Sequence, residues 1–377
     1  MSSPPRPPRF DTQDQSDLEV SIATESTEGV SELSELSEPK GLSGLVGRLF
    51  RLPWVGSEPV DHDRGRELRR AVRSEDLARV KKMLRDGVGV NESQEASLAC
   101  IATRRQNLAL LEMLIQAGVD LDQGDRRNRA SRSRTPLQEA ARKGWLDGVD
   151  ALLAAGARVD VEDEVGATAL LLAVRSGRLT CARRLLEAGA NPEGSPKARM
   201  SPLHESSTPE MAAVLIEAGA TVEQRDLSGA TPLHHQARAG RPVMVEFLLS
   251  KGAPVDALDS RGRSPLFFCG GKGDAQATFE KLLAAGANTS IRDDEANSFI
   301  HLAATRCHAS RVLEALYLQT PDLWVLKNKS GETALDIVQA RGFLDLAERI
   351  QRDAAIREKK ADVSEARRYN IFDASKD

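Results

Sequence analysis

Aromatic side chains are scarce in this sequence: Phe, Trp and Tyr together make up 4% of 377 residues. That scarcity argues against a β-sandwich or an aromatic-lined pocket and suits helices built from Ala and Leu. Cysteine is thin as well. Cys100, Cys181, Cys269 and Cys307 lie far apart, and only Cys307 has a ligand-type neighbour, His308. Two adjacent residues do not make a zinc site, so no metal centre, cofactor or disulfide framework is expected. No apolar run approaches the roughly 18–20 residues that span a bilayer, and the opening MSSPPRPPRF does not read as a secretory leader. A net charge of −4 provides no global attraction to nucleic acid. A reducing location, cytoplasmic or nuclear, is the expectation.

What the sequence does contain is a phrase that returns. It begins at Thr135-Pro136-Leu137-Gln138, Thr168-Ala169-Leu170-Leu171, Ser201-Pro202-Leu203-His204, Thr231-Pro232-Leu233-His234, Ser264-Pro265-Leu266-Phe267, Ser298-Phe299-Ile300-His301 and Thr333-Ala334-Leu335-Asp336, so successive starts are 33, 33, 30, 33, 34 and 35 residues apart. Thr or Ser can cap a helix through its hydroxyl, and Pro in the first turn loses no needed N–H. An apolar helix ending Leu-Leu-x-x-Gly-Ala follows, as at Leu152 to Ala157, Leu185 to Ala190, Leu248 to Ala253 and Leu282 to Ala287. Its glycine suits a left-handed helix terminus. Asp-x-x-Gly segments at 163–166, 226–229 and 259–262 then supply turns before the next unit.

These in-frame phrases resemble the ankyrin-repeat family, whose signature is T-P-L-H-x-A in a 33-residue frame. The resemblance implies an all-α solenoid of helix-turn-helix units with short β-hairpin loops. The frame weakens but persists upstream, through Ala96-Ser97-Leu98-Ala99 and Leu68 to Val72, which gives about nine repeats. The expected organisation is a disordered Ser/Glu/Pro-rich tail over 1–60, the array over 61–350, and a charged helical extension with a tail over 351–377. Each unit buries too little surface to fold alone, so the stack is the cooperative object and its ends are expected to be polar caps.

Departures from the pattern carry the candidate sites. The unit at Ser201 is three residues short, which predicts a shortened first helix, and the junction 191–200 lacks the Asp-x-x-Gly turn. The segment 122–134 stretches one interval to 39 residues (from Ala96 to Thr135) and holds Arg126, Arg127, Arg129, Arg132 and Arg134. Such a loop can dock an acidic or phosphate-bearing surface or serve nuclear import, and can equally be a solvated hairpin tip. In repeat register, the residue before each mid-repeat turn is basic: Arg73, Arg142, Arg175, Arg238, Lys272, Arg306 and Arg341, with Lys143 beside one of them. Stacking would align these as a positive stripe able to receive an acidic segment of a partner protein, although a solubilising role gives the same pattern. Trp145 is a candidate anchor for that partner or a packing residue.

The tails offer short motifs. Pro4 to Arg9 fits a Pro-x-x-Pro-x-Arg ligand, and Ser31, Ser34 and Ser37 lie among glutamates as acidophilic kinase sites do. Residues 41–55, GLSGLVGRLFRLPWV, can form a short amphipathic helix for the first repeat, a partner or a membrane surface. Catalysis is not expected: no phosphate-cradling loop, G-x-S-x-G or H-E-x-x-H occurs, Gly270 to Gly273 sits at a mid-repeat turn, and His204, His234 and His301 occupy the family's structural T-P-L-H place. The expected function is a non-enzymatic adaptor that holds a protein partner across its groove and hairpin tips, without direct nucleic-acid contact and monomeric on its own. A nuclear regulator of transcription factors and a substrate receptor of a protein-modifying complex are the alternatives.

Overall fold

The computed structural model of the chain describes residues 62–91, 97–124, 133–269, 273–306 and 310–356. Residues 41–55, Arg126, Arg127, Arg129, Arg132 and Lys272 lie outside them. Nine helix pairs follow one another among the described residues: α1 (His62–Arg73) with α2 (Leu77–Arg85), α3 (Leu98–Arg105) with α4 (Leu108–Gln116), α5 (Pro136–Lys143) with α6 (Leu146–Ala154), α7 (Ala169–Arg175) with α8 (Leu179–Glu187), α9 (Pro202–Glu205) with α10 (Pro209–Glu217), α11 (Pro232–Ala239) with α12 (Pro242–Ser250), a 3-10 turn (Pro265–Phe268) with α13 (Ala275–Ala284), α14 (Phe299–Arg306) with α15 (Ser310–Gln319), and α16 (Ala334–Ala340) with a helix over 344–356. First helices pack on first helices, as α1 on α3, α3 on α5 and α5 on α7. Second helices pack on second helices, as α4 on α6, α6 on α8 and α12 on α13. The buried apolar residues therefore join into one continuous core from Leu68 to Ile350. Residues 351–356 continue the last helix, and the Tyr317 hydroxyl donates to Asp353 at 2.9 Å.

The T-P-L-H phrase starts a helix and binds the next repeat at the same time. In the Ser201, Thr231 and Ser298 units the backbone N–H of the capping residue donates to the His Nδ1, at 3.3, 3.0 and 3.2 Å. The opposite nitrogen donates to a carbonyl of the following repeat: His204 to Ala230 at 3.0 Å, His234 to Arg263 at 3.0 Å and His301 to Glu332 at 3.2 Å. A backbone donor at Nδ1 and a carbonyl at Nε2 fix the neutral tautomer that carries its proton on Nε2. Gln138 performs the same task with an amide, accepting from Thr135 N at 2.9 Å and donating to Ala167 O at 2.9 Å.

No strand occurs among the described residues, and one antiparallel bridge pairs Lys327 with Thr333. The projecting loops close instead on single backbone rungs and on the turn aspartates. Asp226 Oδ1 accepts from Ser228 N at 2.8 Å and Ala230 N at 3.0 Å, and Asp163, Asp259 and Asp293 repeat the geometry. This is the physical reason for the Asp-x-x-Gly spacing: one carboxylate satisfies two turn donors that would otherwise face each other.

Two first helices are truncated. The short α9 is the one expected from the missing residues, and its end is plugged by Gln236 from the next repeat, whose amide donates to His204 O at 3.1 Å and Ser206 O at 3.0 Å. Gln236 is 1% exposed. Gln236→Leu leaves both carbonyls buried without that donor, and unfolding experiments should show a loss of about 1–3 kcal/mol. An unchanged midpoint would mean that other groups satisfy those carbonyls. The second truncation, the turn at Pro265–Phe268, lies in a unit of ordinary length.

Candidate functional site

The basic residues at the ends of the first helices do not project as one uniform stripe. Several are committed to neighbouring repeats: Lys143 Nζ donates to Arg104 O at 2.7 Å, Arg306 to Phe267 O at 3.3 Å, and Arg341 to Ala304 O. Each reaches back to the preceding repeat, at or near the end of its first helix, where terminal carbonyls and the helix dipole favour a cation. Arg175 pairs with Glu205 of the following repeat at 2.8 Å. Arg238 stacks its guanidinium over the Phe268 ring, 4.5 Å from the centroid. Lys272 and four of the loop arginines lie outside the described residues. The fifth, Arg134, is turned inward, with only 17% of its side chain exposed, 3.7 Å from Glu139 and 3.9 Å from Asp163.

Trp145 is also inward. It is buried at the start of α6, with its ring so close over Gly148 that a Cβ there would lie 2.1 Å from the indole. Glycine at 148 is thus a packing requirement of the tryptophan. The indole belongs to the core of the stack and offers no exposed anchor.

Cationic side chains cluster at the first three repeats. Arg73 of α1, Ile101, Arg104 and Arg105 of α3, and Glu139, Arg142 and Lys143 of α5 line a depression of about 610 Å3. Arg73 also joins it to a smaller depression of about 180 Å3, otherwise lined by Arg66, Arg69 and Arg70 of α1. Glu139 is the one carboxylate of the larger depression and is already engaged: Arg142 holds it through two bonds, at 2.7 and 3.2 Å. Burial pushes this carboxyl up, but the Arg142 bond and the charges of Arg142, Arg134 and Arg104 outweigh it and hold it below the ordinary carboxylate value. Five cations therefore line a depression with one carboxylate, and Arg105 also lies 3.8 Å from Glu75 at its edge.

Arg104 and Arg105 were not among the residues singled out from the sequence. The signal was the repeat register: Arg104 stands seven residues after Ser97, as Arg142 does after Thr135. The weak T-P-L-H match of that unit hid it. Among the described residues no group of three or more His, Cys, Asp and Glu is placed to hold a metal, and no helix is long and apolar enough to cross a membrane.

The family model for ankyrin repeats (three copies) matches residues 68–163, 99–195, 137–226 and 204–293, more than half of the chain. The chain belongs to the ankyrin-repeat family. Among solved structures, the human ASB11 ankyrin repeat domain is 28% identical, covers 59% of this chain and 96% of that one, and superposes with a TM-score of 0.50. Ankyrin repeat protein nuc-2 of Neurospora crassa is 29% identical over 221 residues, which is 57% of this chain and 20% of that protein. Human inversin is 31% identical over 180 residues, 45% of this chain and 17% of inversin. The chain thus spans about a fifth of these curated relatives. Ankyrin repeats are a protein-interaction scaffold, and the match supplies this binding fold.

Proposed function

We propose that this ankyrin array is an adaptor that receives an acidic segment of a partner protein at its first three repeats. The observation that carries the reading is the depression lined by Arg73, Arg104, Arg105, Arg142 and Lys143, on a chain whose net charge is −4. A local positive surface against a negative whole gives orientation as well as attraction: the acidic segment is steered to this end and repelled elsewhere. The hairpin tips add apolar contact, since Leu227 is 76% exposed and Val165 44%. Arg175 and Arg238 contribute less to this contact than their register suggests, because one is paired with Glu205 and the other covers Phe268.

Fluorescence anisotropy with a labelled Glu/Asp-rich peptide tests the reading directly. The wild-type chain should bind with an affinity that falls as salt rises. Arg73→Glu combined with Arg105→Glu, both at exposed positions, should weaken binding by at least about tenfold and flatten the salt dependence, because each reversed charge replaces attraction with repulsion. Equal affinity of the variant, or binding insensitive to salt, would sink the proposal.

A further inference from the structure

The truncated seventh unit brings together three arginines that a regular stack would keep apart. First helices of successive repeats pack at roughly 8–10 Å, so Arg238 and Arg306, two repeats apart, start from backbones separated by roughly 16–20 Å. Among the described residues the intervening first helix is reduced to the Pro265–Phe268 turn, after which Cys269 is extended. The guanidinium carbons of Arg238, Arg263 and Arg306 lie 4.5, 4.8 and 5.6 Å from the centre of the Phe268 ring. Phe268 itself is 1% exposed, and His234 meets the ring in a T-shaped contact with centroids 5.6 Å apart.

The charges of this cluster do not balance by contact. Arg263 is matched by Asp259, which accepts from it at 2.7 and 2.9 Å. Arg306 spends one donor on the Phe267 carbonyl, and the surroundings of Arg238 include Asp226 and Asp259 as attracting charges without an ion pair to either. The structure records the stress: burial, together with the charge of Arg263, lowers the pKa of Arg238, and burial with the charges of Arg263 and Arg238 does the same to Arg306. The other truncated helix is closed differently. There a neutral amide, Gln236, satisfies the exposed carbonyls. A plug for a broken helix therefore needs no cation, and the surplus guanidinium donors at the Pro265–Phe268 turn call for another explanation.

We propose that Arg238 and Arg306 form a receptor for a phosphomonoester group carried by a protein partner, with Phe268 as its floor and Arg263 as its fixed wall. Two guanidinium forks present more donors than one carboxylate accepts. A phosphomonoester dianion offers three acceptor oxygens and the charge that two arginines match. The inference rests on the array being a protein-binding surface, but on side chains separate from those of the acidic-segment site.

The test uses the full chain with 15N-labelled arginine, titrated at constant ionic strength with inorganic phosphate and with N-acetyl-O-phosphoserine amide. Both probes should shift the Nε–H signals of Arg238 and Arg306 saturably. Arg238→Gln and Arg306→Gln should each weaken the midpoint at least about tenfold, while Arg306→Lys, which keeps the charge and loses the fork, should fall between. Circular dichroism of each variant reports whether it is folded, and Arg306→Lys keeps the test alive if a glutamine variant is not. No saturable shift, a shift reproduced by chloride, or a response to phosphatidic acid vesicles without one to the phosphoserine amide would overturn the proposal. Arg73→Glu with Arg105→Glu should weaken acidic-peptide binding at least about tenfold and leave the phosphate response intact, so the two sites fail separately.

Discussion

Acidifying the protein from pH 7 to pH 4 is expected to unfold the array, with two histidines supplying much of the loss. Burial, against the pull of the carbonyls they bond, lowers His204 and His234 from the ordinary 6.5 to about 4. Between those values the unfolded chain binds protons that the folded chain refuses. The stabilising contribution is therefore complete above about 6.5, declines as the pH falls, and is gone at about 4. An interval of that size is worth roughly 3 kcal/mol per imidazole, and His301 is lowered in the same direction by the same cause. Protonation also turns Nδ1 from an acceptor into a donor, so the backbone N–H of Ser201 or Thr231 loses its acceptor and only the capping hydroxyl oxygen, 2.7 or 2.9 Å away, can take the new hydrogen. Gln138 shows that an amide fills this position without titrating. His204→Gln with His234→Gln should therefore flatten the fall in urea midpoint between pH 6.5 and pH 4, while costing little at pH 7. An identical pH slope in the double variant would show that other groups drive the acid transition. Asp226, held at about 2 by bonds from Ser228, His235 and Ala230 despite its burial, adds its loss only below that window.

Phe268→Ala should be among the most damaging single substitutions, at about 3–5 kcal/mol in chemical unfolding. The ring is fully enclosed, and the turn that carries it is only four residues long, so the local backbone cannot close over the void. Truncation also removes the aromatic face under three guanidiniums, leaving their mutual repulsion less compensated, where each such contact is worth roughly 0.5–2 kcal/mol. Phe268→Leu separates the two contributions, since it restores most of the volume without the ring quadrupole. Its residual cost should shrink as salt is raised, because screening relieves the arginines. A salt-independent cost for Phe268→Leu would assign the whole effect to packing and remove the ring from the electrostatic account.

Much of this architecture was legible in the sequence because the repeat states each local requirement many times. Thr135, Thr168 and their equivalents cap helices by a hydroxyl at a fixed distance from the chain, and Asp163, Asp226 and Asp259 close turns within four residues. Such interactions are settled by near neighbours, so spacing alone reveals them. The three-residue deletion likewise foretold the shortened α9. Asp293 makes the same turn without its glycine, since Ala296 takes the left-handed conformation at φ 56°. That copy was invisible to a glycine search.

The roles of the basic residues depended on partners that neighbouring repeats supply. Arg175 found Glu205, Arg341 found a carbonyl, Arg134 turned inward, and Trp145 went into the stack over Gly148. Arg104 and Arg105 joined Arg73 and Arg142 around one depression, and Arg238 met Arg306 across a turn whose truncation no missing residue announced. The sequence by itself determined that this chain stacks repeats, because caps, turns and helix faces are local and periodic. Only the tertiary structure decided which cations stay available to a guest, because a long charged side chain is committed by whichever acceptor the neighbouring repeat brings within its reach.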